Sequence, residues 1–185
     1  EHCSDDSISF VGIDDYAAGL TAARHLVKTG HKRIGLINTL LQNNYAKHRE
    51  RGYRTALSEA GLQVDESWIA HLPEISFDTA IPYIMGMLST PERPDALFCV
   101  SDVFAAAAIN AANALHLRVP EDVAVIGFDN TNFSTMMIPS MTTVSQPSYR
   151  MGQQSCELLL ERIENPAAPT RKVILSTELI VRDST

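Results

Sequence analysis

Ala96-Leu97-Phe98-Cys99-Val100-Ser101-Asp102, the alanine-rich run Phe104 to Leu115, and Val123-Ala124-Val125-Ile126-Gly127-Phe128-Asp129-Asn130 follow one another in this chain, and their order decides the fold. The first is a short, continuous apolar run closed by two polar residues, as expected of a strand buried on both faces. The second reads as a helix. Val119-Pro120-Glu121-Asp122 then turns the chain into a second apolar run. A strand, a helix of this length and another strand imply a parallel pair, because parallel strands need a long crossover.

The same alternation extends in both directions. Toward the amino end, Ile8 to Ile13 reads as a strand ended by Asp14-Asp15, followed by a helix to about Thr29 with Gly30 as its stop. Arg33 to Asn38 is the next strand. A helix from about Tyr45 to Ala60 follows, with Asn44 as N-cap and Gly61 beyond its end. Trp68 to Leu72 is a strand, and about Asp78 to Leu88 a helix with Pro82 near its first turn. Toward the carboxyl end, an irregular stretch to Pro139 leads to a short strand, Thr142 to Ser145. A helix over about Tyr149 to Ile163 is broken by Asn165-Pro166, and one strand closes the chain from Lys172 to Val181. The predicted fold class is α/β, a doubly wound parallel sheet.

Composition limits the functions. The chain has 185 residues, 45% hydrophobic, and a formal net charge of −7, which does not favour binding to phosphate backbones. Cys3, Cys99 and Cys156 match neither a zinc site nor a disulfide framework, and Cys99 lies in an apolar run as a core residue. This usage fits a reducing cytoplasm. The six histidines include no i, i+4 pair, so no metal is expected. No apolar stretch is long enough to span a bilayer, and no signal peptide is visible. The chain opens on Glu1 directly before a strand and is read as a fragment. There is no GxGxxG after a strand and no GxxxxGK[ST], so neither a dinucleotide nor a nucleoside triphosphate is supported as a cofactor. No catalytic nucleophile and base can be placed together.

In an open parallel sheet ligands bind outside the carboxyl ends of the strands. The polar residues found there are Asp14 and Asp15, Asn38 with Asn43 and Asn44, Ser101 and Asp102, Asp129 and Asn130, and Gln146. Carboxylates and amides suit a ligand dense in hydroxyl groups, although Asp, Asn and Ser also serve as turn and cap residues, Asp102 in particular as a cap. Arg49 shares the inward stripe of its helix with Tyr45, Gly52, Tyr53, Ala56 and Ala60. A guanidinium on the core side must find acceptors. Either a polar ligand supplies them, or Arg49 forms a structural ion pair with Asp129 or Asp102.

Five segments in order resemble the LacI/GalR (lactose-repressor-like) family of transcriptional regulators. They are Asp14-Asp15-Tyr16-Ala17-Ala18-Gly19 through Gly30-His31-Lys32-Arg33-Ile34-Gly35, then Arg49-Glu50-Arg51-Gly52-Tyr53, then Pro94 to Asp102, then Val119 to Asn130, and last Thr142-Thr143-Val144-Ser145-Gln146-Pro147 followed by Met151-Gly152. The resemblance implies a periplasmic-binding-protein-like pair of lobes joined by three crossovers. One lobe is complete, over 32–146 and 172–185. Part of a second covers 1–31 and 147–171, and the DNA-binding helix-turn-helix is absent. Carried over by the resemblance, Arg49, Ser101, Asp129 and Gln146 are effector contacts, joined by Asn43 and Tyr45. Ile75 stands where many members place an aromatic, and offers apolar contact without a π face.

The implied function is the ligand-sensing core of a regulator, a repressor in the first instance, responding to a sugar or polyol, or to a purine. Its further partners are a second copy in a homodimer and operator DNA through the absent headpiece, with no membrane. The alternative is a sugar-binding protein of a transport system; an enzyme on this fold lacks an identified nucleophile. Arg49→Ala is expected to abolish the effector response and leave the fold intact.

Overall fold

The computed structural model describes residues 8–185, so the expectations for His2 and Cys3 lie outside the described residues. Among the described residues eight strands and six α-helices follow in the order β1 Phe10–Ile13, α1 Asp15–Lys28, β2 Ile34–Thr39, α2 Asn44–Glu59, β3 Ile69–Leu72, α3 Phe77–Leu88, β4 Ala96–Cys99, α4 Asp102–Ala114, β5 Ala124–Asp129, α5 Phe133–Met136, β6 Thr142–Ser145, α6 Ser148–Glu164, β7 Lys172–Leu175 and β8 Glu178–Ile180. No helix among the described residues is long and apolar enough to cross a membrane.

Six strands form one sheet in the order β3-β2-β4-β5-β6-β8, parallel throughout except for β8, which runs antiparallel to β6 at the edge. The central strands β2, β4 and β5 are almost entirely buried, which is why they read as unbroken apolar runs. From β2 the chain steps outward to β3, then back past β2 to β4. With right-handed crossovers this puts α2 on one face of the sheet and α3 and α4 on the other. The observed packing agrees: α1 lies on α2, and α3 on α4. Alanines at 105–108, 111 and 112 keep α4 thin enough to sit buried against β4 and β5.

α1 starts where the Asp14 side chain accepts from the Ala17 N–H at 2.9 Å and ends where Gly30 adopts φ +100°. There the amide of His31 reaches back to the Leu26 carbonyl, closing the last turn as a glycine C-cap does. α1 and α2 approach closely through two glycines. A Cβ on Gly19 would meet the backbone of Arg49, and one on Gly52 the backbone of Tyr16 and Leu20.

Three sequence expectations change. The closing strand expected over Lys172 to Val181 is two strands: β7 pairs with β1 in a separate two-stranded parallel sheet, whereas β8 joins β6. The break at Ser176-Thr177 is the passage from one sheet to the other, and apolar patterning alone runs through it. The irregular stretch before Pro139 contains the one-turn helix α5. Asn44 is already helical; Asn43 occupies the N-cap position and makes no side-chain cap bond. Ala18, Ala22, Ala23 and Leu26 of α1 are buried in one cluster with residues of β2, β4 and β5. The chain passes between the small sheet and the large body at three places: β1 to α1, β6 to α6, and β7 to β8.

Candidate functional site

A cavity of about 370 Å³ opens at the carboxyl ends of the strands. It lies beside the point where connections leave β2 and β4 in opposite directions, the usual ligand position in a doubly wound sheet. Its polar wall is Asp15, Tyr45, Arg49, Asp129 and Gln146, and its apolar wall is Ile13, Ile75, Val100 and Met151. Each is the last residue of a strand, one of the residues just after it, or part of the first two turns of the helix that follows.

Arg49 is buried, 6% exposed, with Asp15 beside it at 5%. Its Nε donates to Asp15 Oδ1 at 2.8 Å, Nη2 is ion-paired with the same oxygen at 2.8 Å, and Nη1 donates to the Val100 carbonyl at 2.8 Å. The guanidinium lies flat on Phe128, 3.5 Å from the ring centroid, with the Tyr45 ring 5.0 Å away. A guanidinium carries five N–H donors; these contacts leave at least one hydrogen on each terminal nitrogen for acceptors in the cavity. Arg49 is therefore both a structural ion pair and a cavity-lining donor. Its structural partner is Asp15, not Asp129 or Asp102. Asp15 reaches it because α1 packs on α2, a contact between residues 34 apart in the chain.

Asp129 ends β5 with φ +111°, followed by Asn130 at φ +53°. Its Oδ1 accepts from Gln146 Nε2 at 2.5 Å. Burial pushes its carboxyl up to about 6; the positive charge of Arg49 and the Gln146 bond pull it down, and the carboxylates of Asp102 and Asp15 push it up again. The cavity thus holds one cation, two carboxyl groups and an amide, with apolar side chains opposite. This set offers strong acceptors to hydroxyl donors, and two free N–H groups to an oxygen pair. It carries no surplus of positive charge for an anionic ligand.

Of the residues singled out by sequence, Arg49, Tyr45, Ile75, Asp129 and Gln146 meet in this cavity. Ser101 and Asn43 are not brought to its wall. Ser101 is buried at the N-cap of α4, where its hydroxyl accepts from the Phe104 N–H at 3.2 Å. The side chain of Asn43 turns back to the Thr39 hydroxyl at 3.4 Å. The cap role expected of Asp102 falls to Ser101. Asp102 is instead fully buried: its Oδ2 accepts from the amide and hydroxyl of Thr131 at 2.6 and 2.9 Å, and its Oδ1 from the Thr143 hydroxyl at 2.6 Å. Burial raises its carboxyl, and those hydrogen bonds oppose the rise. Sequence reasoning left Asp15, Val100 and Met151 out of the site. Asp15 was visible as a polar residue following a strand, but nothing local to it points to Arg49.

The periplasmic binding protein-like domain family matches residues 23–185. The HTH-type transcriptional repressor CytR of Escherichia coli K12 is 35% identical over 95% of this chain and 51% of its own length. The solved transcriptional regulator CelR–cellobiose complex is 34% identical, with a TM-score of 0.91 over 97% of this chain and 55% of that one. A LacI family transcriptional regulator from Enterococcus faecium, solved with bound ribose, is 26% identical, with a TM-score of 0.89 over 99% of this chain and 67% of that one. The chain spans about half the length of the curated relatives it matches.

Proposed function

The chain belongs to the periplasmic-binding-protein-like effector domains of LacI-type transcriptional regulators, and from that premise we propose that it is the sensing core of a DNA-binding repressor that responds to a neutral, hydroxyl-rich effector. The observation that carries this reading is the meeting of Asp129, Arg49 and Gln146 in one cavity. Asp129 and Asp15 accept from ligand hydroxyls. The two free N–H groups of Arg49 suit a pair of neighbouring oxygens. Ile13, Ile75, Val100 and Met151 take the carbon face of a ring. With Ile75 in place of an aromatic, that face is held by dispersion rather than by stacking.

In this reading the three passages between the sheets are the crossovers between two lobes. The large lobe comprises α1 to β6 and β8 onward. β1, α6 and β7 belong to the second lobe, which moves the boundary expected at residue 31 to Ile13-Asp14. Effector binding between the lobes favours one closure state, and a homodimer in the cytoplasm transmits it to the DNA-contacting segment that a chain of this charge does not supply. The regulators among the relatives favour this over a transport protein on the same fold.

The test is calorimetric titration of the full-length protein with ribose, cellobiose and adenosine. A sugar should bind, and Asp129→Asn should weaken that binding at least tenfold, in line with the loss of a charge-assisted acceptor. Undiminished affinity in Asp129→Asn would refute the site. Binding of adenosine alone would replace the sugar by the nucleoside.

A further inference from the structure

Asp129 faces the cavity from a backbone that resists its own conformation. Two consecutive non-glycine residues, Asp129 and Asn130, have positive φ. Asn130, at φ +53°, is in the left-handed region that asparagine visits readily, whereas Asp129, at φ +111°, lies outside it in a conformation that is costly for an L side chain and persists only where the surroundings enforce it. The enforcing bonds converge on Asn130. Its amide donates to the Thr143 hydroxyl at 3.3 Å and its Nδ2 to the Ser145 hydroxyl at 3.2 Å. Its Oδ1 accepts from Ser134 Oγ at 3.1 Å and from Arg182 Nη2 at 2.9 Å. Arg182 also donates through Nη1 to the Met141 carbonyl at 2.7 Å, and its own amide donates to the Thr142 hydroxyl at 2.9 Å. One planar fork therefore ties the turn after β5 to the chain entering β6, the strand that Gln146 follows. Arg182 does not line the cavity. It stands two residues beyond β8, on the segment that arrives from the small sheet through the third passage.

We infer that Arg182 is a positioning residue for effector recognition: by gripping Asn130 and the Met141 carbonyl together, it holds the turn that aims Asp129 into the cavity. The inference rests on the reading of that cavity as the effector site. It also completes a pattern. Asp15, just past the first passage, clamps Arg49; Gln146, at the second, holds the Asp129 carboxyl; Arg182, past the third, holds the Asp129 backbone through Asn130. Each passage between the sheets thus ends on a hydrogen bond to a cavity residue or its neighbour.

The test reads the Asp129 carboxyl directly, without an effector. In the full-length protein carrying ¹³C-labelled aspartate, the Asp129 signal is assigned by its loss in Asp129→Asn and followed against pH. The groups that face this carboxyl are Arg49 from α2, Asp15 from α1 and Asp102 from α4. Wild type should titrate near 6. In Arg182→Gln the turn relaxes toward solvent, so the titration should fall by about one unit or more toward the ordinary carboxylate range. Asn130→Ala cuts the same bond from the other end and should move it in the same direction, which keeps the test open should Arg182→Gln not fold. Were Arg182 only a distant charge, its removal would raise the Asp129 titration; were it only a stabilising contact, a folded variant would leave it unchanged. Either result overturns the inference. Failure of the cavity reading shows separately, as undisturbed ribose or cellobiose binding in Asp129→Asn with the titration shift still present.

Discussion

Asp129 is ionised at neutral pH at a cost to the fold. A carboxyl whose pKa rises on folding holds its proton more tightly folded than unfolded. Its contribution to stability is complete below the ordinary value of 3.8 and is lost as pH climbs through about 6. Asp129→Asn removes that loss. The variant should gain on the order of 3 kcal/mol over wild type near pH 7.5, several degrees in Tm, and little near pH 4. Thermal melts across that range check the sign, and a gain largest in acid would contradict it. Arg49 behaves oppositely. Removing it alone leaves the nearly inaccessible Asp15 without its cation, a change costing about 3–5 kcal/mol. Arg49→Ala is therefore expected to destabilise the protein as well as abolish binding, contrary to the intact fold expected from sequence. The pair Arg49→Gln with Asp15→Asn should recover much of that stability in denaturant unfolding while binding stays lost. A double variant no more stable than Arg49→Ala would remove Asp15 from its assigned role.

At the scale of elements, the helices and strands were legible because each has its own pattern and punctuation. Gly30 and Gly61, both at positive φ, sit just past the helices they end. β4 and β5 are unbroken apolar runs between polar residues. The split between β7 and β8 was not legible, because the residues that separate two sheets, Ser176 and Thr177, resemble any interruption in an edge strand. The closeness of α1 and α2 was likewise hidden. In an ordinary helix interior, glycine to alanine gains about 1 kcal/mol. At Gly52 the added methyl would meet the backbone of Tyr16 and Leu20, atoms that no side-chain rotation can move aside. Gly52→Ala should therefore be destabilising, by about 1–3 kcal/mol, and should disturb the Asp15–Arg49 pair that the contact delivers. Chemical denaturation that finds Gly52→Ala at or above wild-type stability would show that the helices can part at no cost.

Across the whole molecule, stability is unevenly placed. The six-stranded sheet has helices on both faces and a continuous buried core. The two-stranded sheet has α6 beside it, and Leu158 is the only side chain described as buried along that helix, while Leu159, Leu160 and Ile163 are exposed. Two strands with one helix are marginal by themselves. Hydrogen exchange of the 185-residue chain should find the amides of β1, β7 and α6 opening well before those of β2, β4 and β5. Equal protection in both regions would mean that the small sheet is held by more than these contacts.

The sequence by itself determined the α/β class, most of the element order, the end of the sheet where a ligand would sit, and three of the cavity's side chains, Arg49, Asp129 and Gln146, because periodicity, caps and strand-end polarity are local properties that a single chain displays; Tyr45 and Ile75 came from the family resemblance. Only the tertiary structure decided that Ser101 and Asn43 turn away, that Asp15 holds Arg49, that Arg182 grips the turn carrying Asp129, and that the last strand is shared between two sheets. Those outcomes depend on which distant segments come to lie within hydrogen-bonding reach, and a buried charge takes whichever partner the packing delivers.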